Sequence, residues 1–326
     1  VFRKPGGKFK APALAFLLAV LAALTAGLLF LPGAAGSSPS AAAYEPISKA
    51  PRAAASPEAQ PGASLGSFTV DCGVNSGKVR NSDNLVVSPG KRGAAHHVHD
   101  YVGNLSTNAF STKESLTAAG TTCTNGDRSS YYWPVLRVGP GAGLGTHGSA
   151  ADDDGILTPS SVLIEFRGSP AANVVALPPN LRTAAGNAHG YTEAGAGTDH
   201  LRWSCSGSPD LASRHYPLCP SGEDTVRIFD FPSCWDGRST DSPNHRSHLG
   251  YPDGAGFCPP GTFPVPQLHL EVAYTVPDGA RYVVDAFPEE RSSPVSDHAH
   301  FINLMSAGLM ESVLACLNEG RHCVPE

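Results

Sequence analysis

Residues 267–274 read Gln-Leu-His-Leu-Glu-Val-Ala-Tyr (QLHLEVAY). In an extended chain Leu268, Leu270 and Val272 fall on one side, and Gln267, His269 and Glu271 on the other. Such alternation marks a strand with one buried face. Similar short runs recur on either side of it: Ser67–Cys72, Tyr131–Val138, Ser161–Phe166, Asn173–Leu177, Thr225–Phe229 and Ala280–Asp285. Each is bounded by Gly, Pro, Asn or Asp, the residues that turn a chain. Pro134 places its run at a sheet edge or a bulge. Only Ala299–Glu319 shows helical spacing, through Phe301, Leu304, Met305, Leu309, Val313 and Leu317. The expected fold is mainly β (α+β): a β-rich single domain with long, disulfide-tethered loops and a C-terminal helix.

Composition agrees with this class. Of 326 residues, 35 are Gly and 29 are Pro, too many for a helical bundle or coiled coil. The 23 basic and 29 acidic side chains give a net charge of −6. Nucleic acid is not an expected partner, because phosphate binding needs a basic surface.

Arg3, Lys4, Lys8 and Lys10 precede an apolar run from Ala11 to Leu31. This is the pattern of an export signal, cleaved or kept as a membrane anchor. Residues 1–36 are assigned to it, 37–66 to a disordered Ala/Pro/Ser linker, and 67–326 to the folded domain. Membrane contact is expected only through the N-terminal segment, and the protein is expected to be secreted or extracellular. Eight cysteines, all beyond the targeting segment, fit an oxidising compartment. No CxxC pair exists, so a zinc ribbon is not expected. Sequence alone leaves many connectivities open; proximity favours Cys205–Cys219, Cys234–Cys258 and Cys316–Cys323, leaving Cys72–Cys123.

The chain has 13 histidines, several in close sets: His96, His97 and His99; His245 and His248; His298 and His300. In extended backbone His97 and His99 share a side, as do His298 and His300. Imidazoles so placed suit metal binding or proton transfer; the plainer role is a hydrogen-bonded loop pin. The densest polar stretch runs from Phe229 to His248 and holds Cys234, Trp235, Asp236, Asp241, Pro243, His245 and His248.

Four segments together resemble a large family of secreted bacterial and fungal proteins known as a domain of unknown function (DUF1996), joined in fungi to WSC carbohydrate-binding modules. They are Val87–Asn104, Phe231–Pro252, Val265–Val272 and Asp297–Asn303. The paired-histidine motif falls on His97 and His99. The Cys-Trp-Asp-Gly motif falls on Cys234, Trp235, Asp236 and Gly237. The Asp-Ser-Pro-x-His-x-Ser-His motif falls on Asp241, Ser242, Pro243, His245, Ser247 and His248. The Pro-Gln-Leu-x-x-Glu strand falls on Pro266, Gln267, Leu268 and Glu271. The late motif falls on His298 and Phe301, with His300 where the family usually has Asp. The resemblance implies an association with carbohydrate and names no reaction.

Three functions follow as expectations. The first is an enzyme on extracellular polysaccharide or cell-wall glycan, with His97, His99, Asp241, His245, His248 and Glu271 as acid–base groups in one pocket. Trp235, Asp236, Gln267 and His298 would then bind substrate. The second is a non-catalytic wall or glycan-binding protein. The third, overlapping both, is a metal site of His97, His99 and either His245 or His298. No motif names a particular metal, so no cofactor and no metal ligand set are assigned. The glycine string Gly139–Gly148 lacks a nucleotide-loop context and reads as a flexible loop. Asp152–Asp154 read as a solvated turn. No GxSxG elbow is present.

Overall fold

The computed structural model describes residues 1–2, 43–138 and 155–324. The apolar run Ala11–Leu31, the glycine string and Asp152–Asp154 therefore lie outside the described residues. No helix among the described residues is long and apolar enough to cross a membrane.

Two sheets dominate. Their strands, in chain order, are β1 (Ser67–Val70), β2 (Arg80–Asn81), β3 (His99–Gly103), β4 (Ser130–Pro134), β5 (Ser161–Arg167), β6 (Arg182–Gly186), β7 (Leu201–Cys205), β8 (Thr225–Asp230), β9 (Gln267–Tyr274), β10 (His298–Ile302) and β11 (His322–Cys323). A six-stranded sheet has the order β7-β8-β9-β5-β1-β11, and a five-stranded sheet the order β2-β3-β4-β10-β6. The stretch 267–274 sits in the middle of the larger sheet, antiparallel to both β8 and β5.

One apolar core serves both sheets. Phe166, Phe229, Leu270 and Val272 of the large sheet and Val102, Tyr131, Trp133, Ala299 and Phe301 of the small one lie in the same buried cluster. Phe166 meets Phe301 edge to face, and Trp133 Nε1 donates to the Tyr274 hydroxyl across the interface at 3.0 Å. Arg227 of β8, fully buried, makes a two-pronged ion pair with Asp297 just ahead of β10, and also donates to the Pro134 carbonyl at 2.7 Å. Period-two alternation then decides what the small sheet shows on its other face. With Val102, Tyr131 and Phe301 turned to the core, His99, Tyr101, Tyr132, His298 and His300 turn away from it.

Four disulfides close the expected pairs: Cys72–Cys123, Cys205–Cys219, Cys234–Cys258 and Cys316–Cys323. Three smaller sheets of two or three short strands flank these two, and the α-helices among the described residues are α1 (Lys113–Ala118) and α2 (Ala307–Asn318).

Three local expectations are corrected. The C-terminal helix begins at Ala307, not Ala299, because His298–Ile302 is strand β10. The Ser306 side chain caps the helix by accepting from the Leu309 N–H. Its apolar spacing had run on through a strand that is buried on both faces. Asn173–Leu177 is not a strand: the Asn318 side chain both accepts from the Val174 N–H and donates to its carbonyl, and the Val175 N–H goes to Pro264. Part of the stretch read as a linker is attached to the domain. Tyr44–Pro46 pairs in parallel with Tyr216–Leu218, Ile47 is buried, and the Ser64 N–H bonds the Ser169 carbonyl. Composition could not foresee this, because a few anchoring side chains offset the ordering entropy of a stretch poor in apolar residues.

Candidate metal centre

His99 and His298 occupy adjacent regions of the small sheet's outward face, at the start of β3 and of β10. His97 precedes β3, after His96 turns the chain in the left-handed region (φ 54°). This short segment is anchored twice. The Val98 N–H donates to Asp285 Oδ2 at 3.0 Å, and its carbonyl accepts from Val135 at 2.9 Å. On the other side, the His298 N–H donates to Asp297 Oδ1 at 2.9 Å, the carboxylate already gripped by Arg227.

The three imidazoles converge through their Nε2 atoms. His97 lies 3.1 Å from His99 and 3.2 Å from His298, and the remaining pair is 3.4 Å apart. The second nitrogens show which atoms carry protons. His99 Nδ1 donates to the Asp83 carbonyl at 3.1 Å, and His298 Nδ1 to the Ser296 carbonyl at 3.0 Å. A carbonyl accepts only, so each ring carries its proton on Nδ1 and presents an Nε2 lone pair. At most one proton, on His97, can lie among the three nitrogens, and it would have to serve two acceptors. A metal ion satisfies all three at once. Metal–nitrogen bonds of 2.0–2.1 Å place ligand nitrogens roughly 3.3 Å apart in a tetrahedron, which brackets the observed spacing. The outer hydrogen bonds to carbonyls are those that orient metal-bound histidines. Among the described residues this is the group of His, Cys, Asp and Glu arranged to hold an ion.

Burial favours the neutral rings that a metal needs. It pushes His97 down to about 3, helped by the charges of His300, His96 and His189. Burial, then the neighbouring imidazoles, drives His99 and His298 well below the ordinary histidine range. Phe287 packs edge-on against His97, and Tyr132 against His99, so the rings are fixed before any ion arrives.

A cavity of about 460 Å³ opens beside the triad and is lined by His97 and His298. His245, Arg246, His300 and Phe287 line it too. His245 also takes a left-handed backbone (φ 55°), and its Nδ1 donates to Asp241 Oδ1 at 2.9 Å. Its Nε2 is thereby the free, basic nitrogen. Glu193 is the one carboxylate lining the cavity among the described residues.

The remaining expected site residues are placed elsewhere. His248 is a buried pin: Nδ1 bonds Ser242 Oγ at 2.9 Å, and Nε2 donates to the Arg182 carbonyl at 2.7 Å. Glu271 lies on the large sheet, bonded to His269 Nε2 at 2.8 Å, while His269 Nδ1 bonds Asp230 at 2.6 Å. Gln267 donates to the Phe231 carbonyl, and Trp235 Nε1 to the Ser239 carbonyl. Asp236 caps a turn by accepting from the Arg238 and Ser239 N–H groups. None of these five lines the cavity, and Asp241 reaches it only through His245. The structure thus brings together His97, His99, His298 and the Asp241–His245 pair, and corrects the expected single pocket that included His248 and Glu271. Sequence reasoning gave no role to Arg246, Asn84 or Phe287. Arg246 lay inside the quoted loop motif, but only folding shows that it faces the cavity.

Residues 84–303 match the family described as a domain of unknown function (DUF1996), a span that contains every residue of the triad and of the cavity wall. No curated protein and no solved structure matches the chain.

Proposed function

The chain belongs to the DUF1996 family, and since that description carries no reaction, we propose one from the site itself: a metal-dependent enzyme acting on an extracellular glycan, by hydrolysis or elimination. The observation that carries this reading is the convergence of three Nε2 atoms within 3.4 Å, two of them fixed as lone-pair donors. Three histidines beside an open cavity match a catalytic site more closely than a structural one, which closes all its ligand positions.

A mechanism with two carboxyl groups as acid and base has little support here. It needs two carboxyl groups flanking the bond, and Asp236 and Glu271 are committed to other partners. In its place stands the Asp241–His245 pair. Asp241 fixes the tautomer of His245, whose Nε2 can accept a proton from a water or a sugar carbon in the cavity. A bound divalent ion would supply an acidified water or polarise an oxygen of the substrate. The glycan assignment rests on the disulfide-bonded fold, which fits an oxidising compartment, and on a cavity that mixes polar groups with Phe287.

The test is elemental analysis of the purified full-length protein, followed by assays on a panel of wall and plant polysaccharides. About one transition-metal ion per chain is expected, lost in His298→Ala, with product release abolished by chelation and by Asp241→Asn. Protein that stays metal-free after incubation with zinc, copper or manganese overturns the proposal. Stoichiometric metal with no product from any polymer points to the non-catalytic binding reading.

A further inference from the structure

We propose that the cavity beside the histidine triad receives an oxyanion of the substrate, a carboxylate or phosphate ester, through Arg246 and His300. This deepens the function proposed above by naming the substrate class, and it stands on observations separate from the triad.

The first observation is an orphaned donor. His300 is 2 % exposed and lines the cavity. Its Nε2 faces the Asn84 side-chain nitrogen at 3.1 Å. The Asn84 amide is oriented by its oxygen, which accepts from the Val87 N–H at 3.0 Å and the Tyr132 hydroxyl at 3.0 Å. The nitrogen must therefore donate, and His300 Nε2 must accept. The ring proton then sits on Nδ1, which is buried without a hydrogen-bond partner. A buried N–H left without an acceptor is costly unless something fills the place. The ring cannot rotate to find one, since it is stacked on Tyr132 at 4.7 Å.

The second observation is an exposed cation on the cavity wall. Arg246 lines the same cavity, and its Nη2 donates to the Gly186 carbonyl at 2.9 Å. Among the described residues no carboxylate pairs with it. Glu193, the one acid of the cavity wall, spends Oε2 on Asn187 at 2.7 Å. A neutral sugar would accept from this guanidinium only through uncharged hydroxyl oxygens. A planar or tetrahedral oxyanion matches its fork of donors, and the bond is charge-assisted. The chain carries a net negative charge, and Arg246 is the one Lys or Arg among the residues that line this cavity, so its donors are a local feature of the wall.

Calorimetric titration of the full-length protein tests this with trigalacturonate, inorganic phosphate and, as the neutral control, cellotriose. Each is run on chelated and on zinc-loaded protein. Binding of at least one anion is expected in both forms, at least tenfold tighter than cellotriose and weakened by salt. Arg246→Gln should weaken it tenfold or more at unchanged melting temperature, and His300→Phe should weaken it as much, at a lower melting temperature because Asn84 loses its acceptor. If His300→Phe fails to fold, Arg246→Gln alone decides. Tighter binding of trigalacturonate assigns the oxyanion to a uronate, and tighter binding of phosphate to a phosphate ester. Cellotriose binding as tightly as the anions, or Arg246→Gln binding like the parent, overturns the inference. Anion binding without any zinc uptake would leave it standing while the metal-dependent reading falls.

Discussion

Three histidines of this chain have entirely different tasks, and each is set by what its second nitrogen meets. His298 turns one nitrogen to a carbonyl and the other to two imidazoles, and so is left with a lone pair that calls for an ion. His248 has both nitrogens committed to the Asp241–His248 loop and to β6. His248→Ala should therefore cost about 1–3 kcal/mol of stability, the penalty for stranding buried polar partners, and leave metal content intact. Denaturant titration beside elemental analysis checks this, and loss of the metal would move His248 into the centre. His269 sits between Asp230 and Glu271. Burial works to lower its pKa, but hydrogen bonds to both carboxylates outweigh burial and raise it. Glu271 is lowered by the same bond to His269, against burial. A raised histidine stabilises fully below its unfolded value of 6.5 and loses that contribution as pH climbs through its folded value. A lowered glutamate stabilises above its unfolded value of 4.5 and loses that contribution as pH falls through its folded value. The network is thus at full strength from about 4.5 to 6.5. In His269→Gln the decline of melting temperature above pH 6.5 should be shallower than in the parent; an unchanged slope would show that His269 is neutral.

At the scale of the element, β10 carries the site. Its sequence His-Ala-His-Phe-Ile puts both histidines on one buried face and Ala299 and Phe301 on the other, so a slip of one residue would drive the imidazoles into the apolar core and turn Phe301 toward the triad. Two features hold its register. One is the Arg227–Asp297 pair, which ties the strand's start to β8 in the other sheet. Breaking a fully buried pair leaves a stranded charge, so Asp297→Ala should cost about 3–5 kcal/mol and reduce metal affinity with it. The other is Gly186 of β6, directly opposite His298. It has φ 75°, and a Cβ there would overlap the Asp297 carbonyl oxygen. Gly186→Ala is expected to lower the melting temperature and the metal affinity together, since the backbone beside His298 must move. Retention of parental metal affinity in that variant would show that the strand yields elsewhere.

At the scale of the molecule, the disulfides divide the labour of holding long loops. In a chain-entropy account a bridge stabilises more when it closes a longer loop. Cys72–Cys123 spans 51 residues and Cys316–Cys323 spans 7, which corresponds to about 4 and about 2.4 kcal/mol respectively. Replacing both cysteines of the first pair by Ala should lower the unfolding free energy more than the same change in the second; the reverse order in urea titrations would place native strain or residual unfolded structure above loop entropy. The sequence by itself determined a great deal. Alternation in 267–274 and its counterparts placed β1, β5, β8 and β9 of the large sheet and β4 of the small one, because burying one face of a sheet imposes a period of two on the residues themselves. Proximity of cysteines proposed three bridges, because short loops close most readily, and left Cys72–Cys123 as the fourth. It also singled out His97, His99, Asp241 and His245. It erred where local signals agree with more than one structure: the apolar spacing of 299–319 covers both a doubly buried strand and a helix, and the Ala-rich β6 has no strand signature at all. Only the tertiary structure decided which histidines meet. His97 and His298 are 201 residues apart in the chain and 3.2 Å apart in space. No local pattern encodes that distance. It follows from which strands neighbour one another in the small sheet and from the buried ion pair that ties the two sheets together.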